Sequence, residues 1–259
     1  MLTRRQAALN VFAYEQSDVH LRYDAGRTLG QSATRDLMEA LRRNVRPPVK
    51  LVVDLGCGTG RFSAALSETF DAPVLGIEPA ANMIAMAKAN SDSTKVRLIR
   101  GEADRIPLAD GRADLVFMSQ VFHHLSDRAA ALAEFRRVLR PQGCLGIRQT
   151  TRENLDSYCY QRFFPDARRL DERRLPSRSA LLRLARAAGY RLVALDALCS
   201  EIAATSADYV AKIALRTYSD LTGISDAAFH RGLSDLEAYS RVSPDYPKFA
   251  ENDFFVFAT

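Results

Sequence analysis

Residues 51–62 read LVVDLGCGTGRF, an apolar run followed by one acid and three glycines at alternate positions. A short β-branched run that ends in glycine is typical of a buried parallel strand. Gly56, Gly58 and Gly60 permit left-handed backbone conformations and let a ligand approach the main chain closely. A loop of this kind between a strand and a helix predicts either a dinucleotide or another adenosine-bearing cofactor.

Strand and helix patterns alternate on both sides of this loop. Further apolar runs of strand length occur at 72–78, 95–101, 113–119 and 144–150, and helical patterns occur at 59–69, 80–89 and 127–139. The last of these patterns is amphipathic, with apolar residues on one face and arginines on the other. The alternation predicts a doubly wound α/β fold, in which helices cover both faces of a parallel sheet.

Three other segments flank this rhythm, and we interpret the chain, 1–259, as one domain that carries them. A mostly helical segment at 1–46 precedes the cofactor-binding core at 48–150. An aromatic, arginine-rich segment at 151–175 and two helical patterns at 200–245 follow it. We expect all three to fold over the carboxyl edge of the sheet as lids, because an open α/β sheet binds its ligands there.

Composition excludes several classes of protein. The net charge is +5, but the 31 arginines against 5 lysines are scattered in pairs, which favours a compositional bias over a nucleic-acid footprint. The four cysteines form no C-x-x-C pair, so neither a metal site nor a disulfide framework is expected. No apolar run has the length of a membrane span, and the first residues lack the layout of a signal peptide, so we expect a cytoplasmic protein.

Acids at successive strand ends identify the cofactor more closely. Asp54, two positions before the first glycine, would repel a pyrophosphate but suits a ligand with an ammonium group. Glu78 ends the second strand, where a carboxylate can accept both hydroxyls of a ribose. After the third strand, the Glu102 side chain can take an adenine amino group and the Ala103 N–H can meet a ring nitrogen. Together these features predict S-adenosylmethionine.

These motifs resemble the class I S-adenosylmethionine-dependent methyltransferases, in the branch of the ubiquinone and menaquinone C-methyltransferases (methyltransferase type 11). The resemblance covers about 48–150 and rests on VVDLGCGTGRF, GIEPAANMIAMA, GEADRIPLADGRADLVFMSQVFHHL and EFRRVLRPQGCLGI. It implies a seven-stranded, mostly parallel sheet whose last strand is antiparallel. It also implies a cofactor that lies across the carboxyl ends of strands one, two and four.

The resemblance further implies which residues contact the cofactor. The matched positions in the core are Asp54, Gly56, Gly58, Gly60, Glu78, Glu102, Ala103, Ser119 and Gln120. Outside the core, Tyr23 and Arg27 look like the N-terminal lid of related small-molecule enzymes, where such residues reach the cofactor carboxylate. Ala80 departs from the pattern, because the family often has a hydroxyl residue there, and this affects a secondary contact.

Candidate residues for the acceptor are less specific. His123 and His124 follow the fourth strand, where the methyl group should project, so either imidazole could remove a proton from the acceptor, or both could support the loop. Tyr158, Arg162, Phe163 and Tyr209 are predicted to line a lid over a planar or anionic acceptor. The alternative for these aromatic residues is a plain helical cap.

The sequence therefore predicts an S-adenosylmethionine-dependent methyltransferase that acts on a small molecule and needs no metal. An RNA-modifying methyltransferase is the first alternative, although the place after the fourth strand reads SQVF rather than an N-P-P-Y-like motif. A non-catalytic S-adenosylmethionine-binding regulator is the second. The loop spacing disfavours a nicotinamide-dependent oxidoreductase.

Overall fold

The computed structural model describes residues 18–27, 29–91, 93–246 and 248–259. Seven strands within these ranges form one sheet: β1 Val52–Leu55, β2 Val74–Glu78, β3 Val96–Arg100, β4 Ala113–Ser119, β5 Leu139–Gln149, β6 Arg191–Glu201 and β7 Phe249–Ala258. Their order is β3-β2-β1-β4-β5-β7-β6. Strands β1 to β5 are parallel, and β7 runs antiparallel to both β5 and β6. The fold confirms the predicted doubly wound sheet with an antiparallel last strand.

Helices surround this sheet within the described ranges. They are α1 Val19–Arg27, α2 Gln31–Asn44, α3 Ser63–Phe70, α4 Ala81–Asn90, α5 Arg128–Val138, α6 Pro165–Arg174, α7 Arg178–Ala187, α8 Ser206–Ala214, α9 Ser219–Thr222 and α10 Asp226–Val242. Short 3₁₀ helices occupy Phe122–His124, Arg152–Ser157 and Cys159–Arg162. None of the helices in these ranges combines the length and hydropathy that a membrane crossing requires.

Both faces of the sheet are covered by apolar helix faces. On one face, Leu132 and Phe135 of α5 pack with Leu181 of α7 against the strands. On the other face, α2 contributes Leu37 and Leu41 to a core that β1, β4 and β7 also line. Complete burial of these side chains supplies about 1.5–3 kcal/mol each to the free energy of unfolding.

The position of α2 differs from the expectation that all of 1–46 is a lid. Its apolar residues repeat at helical spacing and are buried beneath the sheet, so Gln31–Asn44 belongs to the core layer. Only α1 of the described N-terminal residues lies at the carboxyl edge, as the contacts below establish. Residues 1–17 of the predicted lid are outside the described residues.

A second apolar core is built by the segments that follow β5. Tyr160, Phe164, Tyr209 and Leu236 are completely or almost completely buried in it. This core adjoins the edge at which β6 ends and β7 begins, because Ile202 and Ala250 belong to it as well. The aromatic segments therefore cover the carboxyl edge with a packed layer rather than with a loose flap.

Candidate functional site

The glycine loop follows β1 and is held against β2. Gly56, Gly58 and Gly60 adopt φ angles of +64°, +58° and +80°, which only glycine tolerates easily. The Gly56 N–H donates to the carbonyl of Ile77 at 2.7 Å. A Cβ at Gly56 would lie 2.4 Å from Cγ2 of Val121, so this glycine also lets the loop after β4 approach. These constraints explain why the predicted helix at 59–69 begins only at Ser63.

Glu78 at the end of β2 fixes the centre of this loop. Its carboxylate accepts hydrogen bonds from the N–H groups of Gly58 and Ala80, each at 3.0 Å. Burial raises the pKa of Glu78, and the two backbone bonds oppose that rise. Each carboxylate oxygen keeps a further lone pair for a ligand hydroxyl. The residue predicted to hold the ribose thus also shapes the loop.

Asp54 lies beneath the loop and is almost completely buried. Its Oδ2 accepts a 2.6 Å hydrogen bond from the Ser63 hydroxyl at the start of α3. Burial raises the pKa of Asp54 to about 6, against the opposing effects of Ser63 and Arg61. A buried carboxylate with a raised pKa favours a cationic ligand, which would stabilise its charged form. Asp54 therefore fits the ammonium group of S-adenosylmethionine.

Helix α1 packs directly on the glycine loop. The Thr59 hydroxyl donates to the carboxylate of Asp24, and the Arg61 guanidinium donates to the carbonyl of Arg27. The Tyr23 ring stands 4.0 Å from the position that a Cβ of Gly58 would take. The structure thus brings the predicted lid residues Tyr23 and Arg27 to the predicted cofactor loop.

The ends of β3 and β4 carry further residues that were predicted to contact the cofactor. Glu102 is exposed and Ala103 is half-buried, directly after β3. Ser119 ends β4, and its Oγ accepts a 3.3 Å hydrogen bond from Arg148 of β5. All of the residues predicted to contact the cofactor consequently lie at or beside the carboxyl ends of β1 to β4, except those contributed by α1.

Gln120 joins three strands at this edge. It has a φ of +60°, and its Oε1 accepts a 3.2 Å hydrogen bond from the backbone N–H of Thr150. Its Nε2 donates to the Thr150 hydroxyl at 2.9 Å and to Oδ1 of Asn252 on β7. The Tyr158 hydroxyl meets the same two groups at 2.9 and 3.0 Å. This network binds the ends of β4, β5 and β7 together.

Two small adjoining cavities open beside this network. The first, of about 40 Å³, is lined by Gly26, Arg27, Leu29, Arg61, Gln120, Arg148, Tyr158, Ser200, Glu201, Ile202, Lys212, Tyr218, Ala250 and Asn252. The second, of about 30 Å³, shares four of these residues and extends to His123, Tyr160, Asp171 and Asp220. Each holds only a few waters, since one water needs about 10–15 Å³. The packing of α1 and of the second core against this edge thus leaves two small, partly open cavities.

Of the two histidines after β4, His123 is buried and His124 is half-buried, and both are neutral near pH 7. Their ring centroids are 4.0 Å apart, and Nδ1 of His123 lies 2.9 Å from Nε2 of Gln149. Burial lowers the pKa of His123 well below its ordinary value, and His124 and Arg174 add to this effect. Burial likewise lowers the pKa of His124 to about 3. His123 lines the second cavity, and its lowered pKa makes it a weak base.

Acidic side chains line the second cavity. Asp220 accepts hydrogen bonds from the Tyr160 hydroxyl at 2.9 Å and from Gln161 at 3.2 Å. Asp171 forms a buried ion pair with Arg174 at 2.6 Å. Burial raises the pKa of Asp220, and the neighbouring Asp171 raises it further. The sequence offered no motif that singled out this pair.

The residues predicted to line the acceptor lid separate into two groups. Tyr158 lines both cavities. Tyr209 is instead completely buried, and its hydroxyl accepts from the backbone N–H of Tyr160 at 3.0 Å. Phe163 packs against Tyr239, and Arg162 is exposed. None of these three lines either cavity. The rings of Tyr209 and Phe163 pack in the second core, and Arg162 is exposed on the surface.

Several residues that line the cavities were not predicted from the sequence. Arg61, Arg148, Thr150, Lys212, Asp220 and Asn252 all line them. Arg148 had a visible signal, because it is the one charged residue in the strand CLGIRQT. Asn252 and Lys212 lie in segments whose approach to this edge depends on the long-range pairing of β7 with β5.

Comparison with known proteins agrees with this geometry. Residues 53–147 match the family described as "Methyltransferase domain". An O-methyltransferase of Pyrenophora dematioidea is 32% identical over 124 residues, 46% of each chain. A demethylmenaquinone methyltransferase of Lactiplantibacillus plantarum is 36% identical over 106 residues, 39% of this chain and 45% of that protein. The chain thus spans less than half of the length of these curated relatives.

A solved structure extends the likeness across most of the chain. A methyltransferase of an antibiotic biosynthesis pathway from Anabaena variabilis superimposes with a TM-score of 0.70 at 18% identity, over 89% of this chain and all of that one. Such low identity establishes the fold alone. Fold, glycine loop and family match together define a Rossmann-like methyltransferase core. The family match over residues 53–147 and the methyltransferase relatives support a class I S-adenosylmethionine-dependent methyltransferase core of the type 11 branch.

Proposed function

We propose that this protein transfers the methyl group of S-adenosylmethionine to a small-molecule acceptor. The observation that carries the proposal is the pair of small, partly open cavities at the carboxyl ends of β4, β5 and β6, next to the glycine loop. Cavities of this size favour a small molecule over a folded protein or an RNA duplex as the acceptor. The relatives' names, an O-methyltransferase and a demethylmenaquinone methyltransferase, are compatible with such an acceptor.

The chain's own residues would bind and orient the cofactor. The glycine loop and Glu78 would hold the ribose, Asp54 the ammonium group, and Tyr23 would cover the loop from α1. S-adenosylmethionine supplies an activated methyl group on a sulfonium centre. The protein therefore needs chiefly to align the acceptor and to exclude water, which α1 and the network around Gln120 accomplish.

An acceptor that loses a proton needs a base beside the cavity. His123 and His124 have strongly lowered pKa values, so they accept protons poorly near neutral pH. The raised pKa of Asp220 places this carboxylate closer to the working pH. We therefore assign the proton acceptor to Asp220 and a supporting role, through Gln149, to His123. Asp220→Asn should lower kcat far more than His123→Asn.

Labelled methyl transfer tests the proposal and its two alternatives. S-adenosylmethionine with a labelled methyl group is incubated with the protein and either a small-molecule extract or total RNA. We expect label in the small-molecule fraction and none in RNA. Label in RNA alone would establish the RNA-modifying alternative. S-adenosylhomocysteine binding by calorimetry, with no transfer to either fraction, would favour the non-catalytic regulator.

We also propose a cytoplasmic location, on the composition of the sequence. Fractionation of cells that express the tagged protein tests it, since recovery in the membrane or extracellular fraction would contradict it.

A further inference from the structure

Arg148 is a buried cation near the carboxyl end of β5, directly after the apolar run CLGI. Its side chain is 4% exposed and shares a face of β5 with Gly146, opposite the face that buries Leu145 and Ile147. Its guanidinium donates to the Ser119 hydroxyl at 3.3 Å. It reaches the first cavity, where the carboxyl ends of β4 and β5 meet.

Within the described part of the chain, no carboxylate forms an ion pair with this guanidinium. The ion pairs found among the described residues leave Arg148 out, although they include twelve other charged contacts. Burial lowers the pKa of Arg148 to about 10, against the raising effect of Tyr158, and Arg61 and Arg27 lower it further. A buried charge without a partner is costly to the folded state. Such a cost is expected where a ligand supplies the missing charge.

The whole cavity is cationic. Arg27, Arg61 and Lys212 line it together with Arg148, while Glu201, an exposed residue, is the one carboxylate among the described lining residues. The rings of Tyr158 and Tyr218 form its less polar walls, and Arg27 stacks over the Tyr218 ring at 4.3 Å. An anionic group on a small, flat molecule is the chemistry that this lining recognises best.

We assign this cavity to the acceptor, although Arg27 and Gln120, two residues that the resemblance places at the cofactor, also line it. Neither Asp54, nor any glycine of the loop, nor Glu78 lines it. Its walls come mainly from α1, β5, β6, β7 and the segment around α9, and β5 is two strands away from β1 in the sheet. Adjacent strands are about 4.8 Å apart, so the backbone of Arg148 lies about 10 Å from β1, while its guanidinium reaches toward Ser119 at the end of β4.

We propose that Arg148 is a substrate-binding residue that recognises a carboxylate on the methyl acceptor. This inference rests on the proposed function and names its substrate class. The acceptor carboxylate would take the place next to Ser119, Tyr158 and Arg61 and would pair with the guanidinium in two parallel hydrogen bonds. The rest of the acceptor would then extend toward the second cavity and Asp220.

Matched acids and amides test the charge requirement. Thermal unfolding of the protein saturated with S-adenosylhomocysteine is measured with benzoate or cinnamate and with benzamide or cinnamamide. We expect each acid, at about ten times its Kd, to raise the Tm by about 2–5 °C, and the amides to have no effect. Equal effects of acids and amides on the wild-type protein would overturn the inference.

Variants identify the residue. In Arg148→Met the apparent Kd of each acid should rise at least about tenfold. The ligand-free Tm should stay equal or rise, because an unpaired buried charge is removed. Arg148→Lys keeps the charge but loses the bidentate geometry, so its affinity should be intermediate. The matched control is Arg112→Met at an exposed position, which should retain the wild-type response.

The cofactor carboxylate is the competing source of an anion. If Arg148→Met weakens S-adenosylhomocysteine binding about tenfold or more, the arginine serves the cofactor and the inference fails. A fall in Tm with the acid response retained would make Arg148 structural and would also overturn it. Absence of S-adenosylhomocysteine binding to the wild-type protein would instead refute the proposed function, so the two failures are distinguishable.

Discussion

The backbone N–H of Gly58 donates a 3.0 Å hydrogen bond to Oε2 of Glu78, across the gap between β1 and β2. This bond links the two sequence motifs from which the cofactor was predicted. A ligand that uses the carboxylate therefore meets a loop whose shape the same carboxylate maintains. Cofactor affinity and the local stability of the loop should consequently change together when Glu78 is altered.

Glu78→Ala should weaken S-adenosylhomocysteine binding by about 1–3 kcal/mol and lower the Tm, because it removes a ligand contact and two backbone hydrogen bonds. Glu78→Gln keeps one acceptor oxygen and should lose less of both. Calorimetry and thermal unfolding measure the two effects. The exposed Glu68→Ala on α3 is the control and should change neither. Wild-type affinity in a folded Glu78→Ala would contradict the assignment.

Cofactor affinity should decrease as the pH falls through about 6. The pKa of Asp54 is raised to about 6 by burial, and only its deprotonated form attracts an ammonium group. Below that pH the Kd of S-adenosylhomocysteine should rise, approaching about tenfold per pH unit. Because the folded state binds this proton more tightly than the unfolded state, Asp54 also lowers ligand-free stability as the pH rises from about 4 to 6.

Calorimetric titrations between pH 5 and 8 check this dependence. Asp54→Asn should bind weakly at every pH and show a flat profile. If the variant retained the slope of the wild-type protein, another group would be responsible.

Gly56→Ala should destabilise the protein far more than Gly58→Ala. Both have positive φ, which costs about 1–2 kcal/mol for alanine, but only the Cβ at position 56 collides with Val121, at 2.4 Å. Urea unfolding gives the two free energies. Adding Val121→Ala should recover part of the loss in Gly56→Ala and none in Gly58→Ala. Equal losses in the two single variants would show that the contact with Val121 is unimportant.

Gly26→Ala should prevent α1 from docking. A Cβ at this position would lie 2.2 Å from Oγ1 of the buried Thr217, although alanine itself favours the helix. We expect faster proteolysis within α1 and a higher Kd for S-adenosylhomocysteine. Thr217→Ala should partly restore both, as a double-mutant cycle would measure. The control is Gly30→Ala, whose Cβ would find its nearest neighbour, Ser32, at 3.7 Å.

The fold and the cofactor loop were predictable because their signals are local. The run before Gly56 and the acids Asp54 and Glu78 lie at strand ends that alternate regularly along the chain. The acceptor side is assembled from distant segments, so periodicity reveals little about it. Aromatic residues such as Tyr209 suit a ligand wall and a packed core equally well, and only the pairing of β7 with β5 and β6 decides between them.

Arg148 is a second example of a residue whose role cannot be recognised from the local sequence. The sequence shows that Arg148 follows an apolar run. Whether this arginine can bind a ligand depends on the residues that face its guanidinium. Without the positions of Ser119 and Tyr158, the sequence does not distinguish a buried cation from a charged residue at a frayed strand end.

Helix α1 touches both halves of the site, through Asp24 and Thr59 at the glycine loop and through Gly26 and Arg27 at the first cavity. We therefore expect one motion of this helix to control the exchange of both the cofactor and the acceptor. We expect the demethylated cofactor and the methylated product to share a single exit step, so that the residence time of either ligand lengthens when the other is present. The position of α1 makes the rate of turnover depend on the motion of this helix as well as on the methyl transfer.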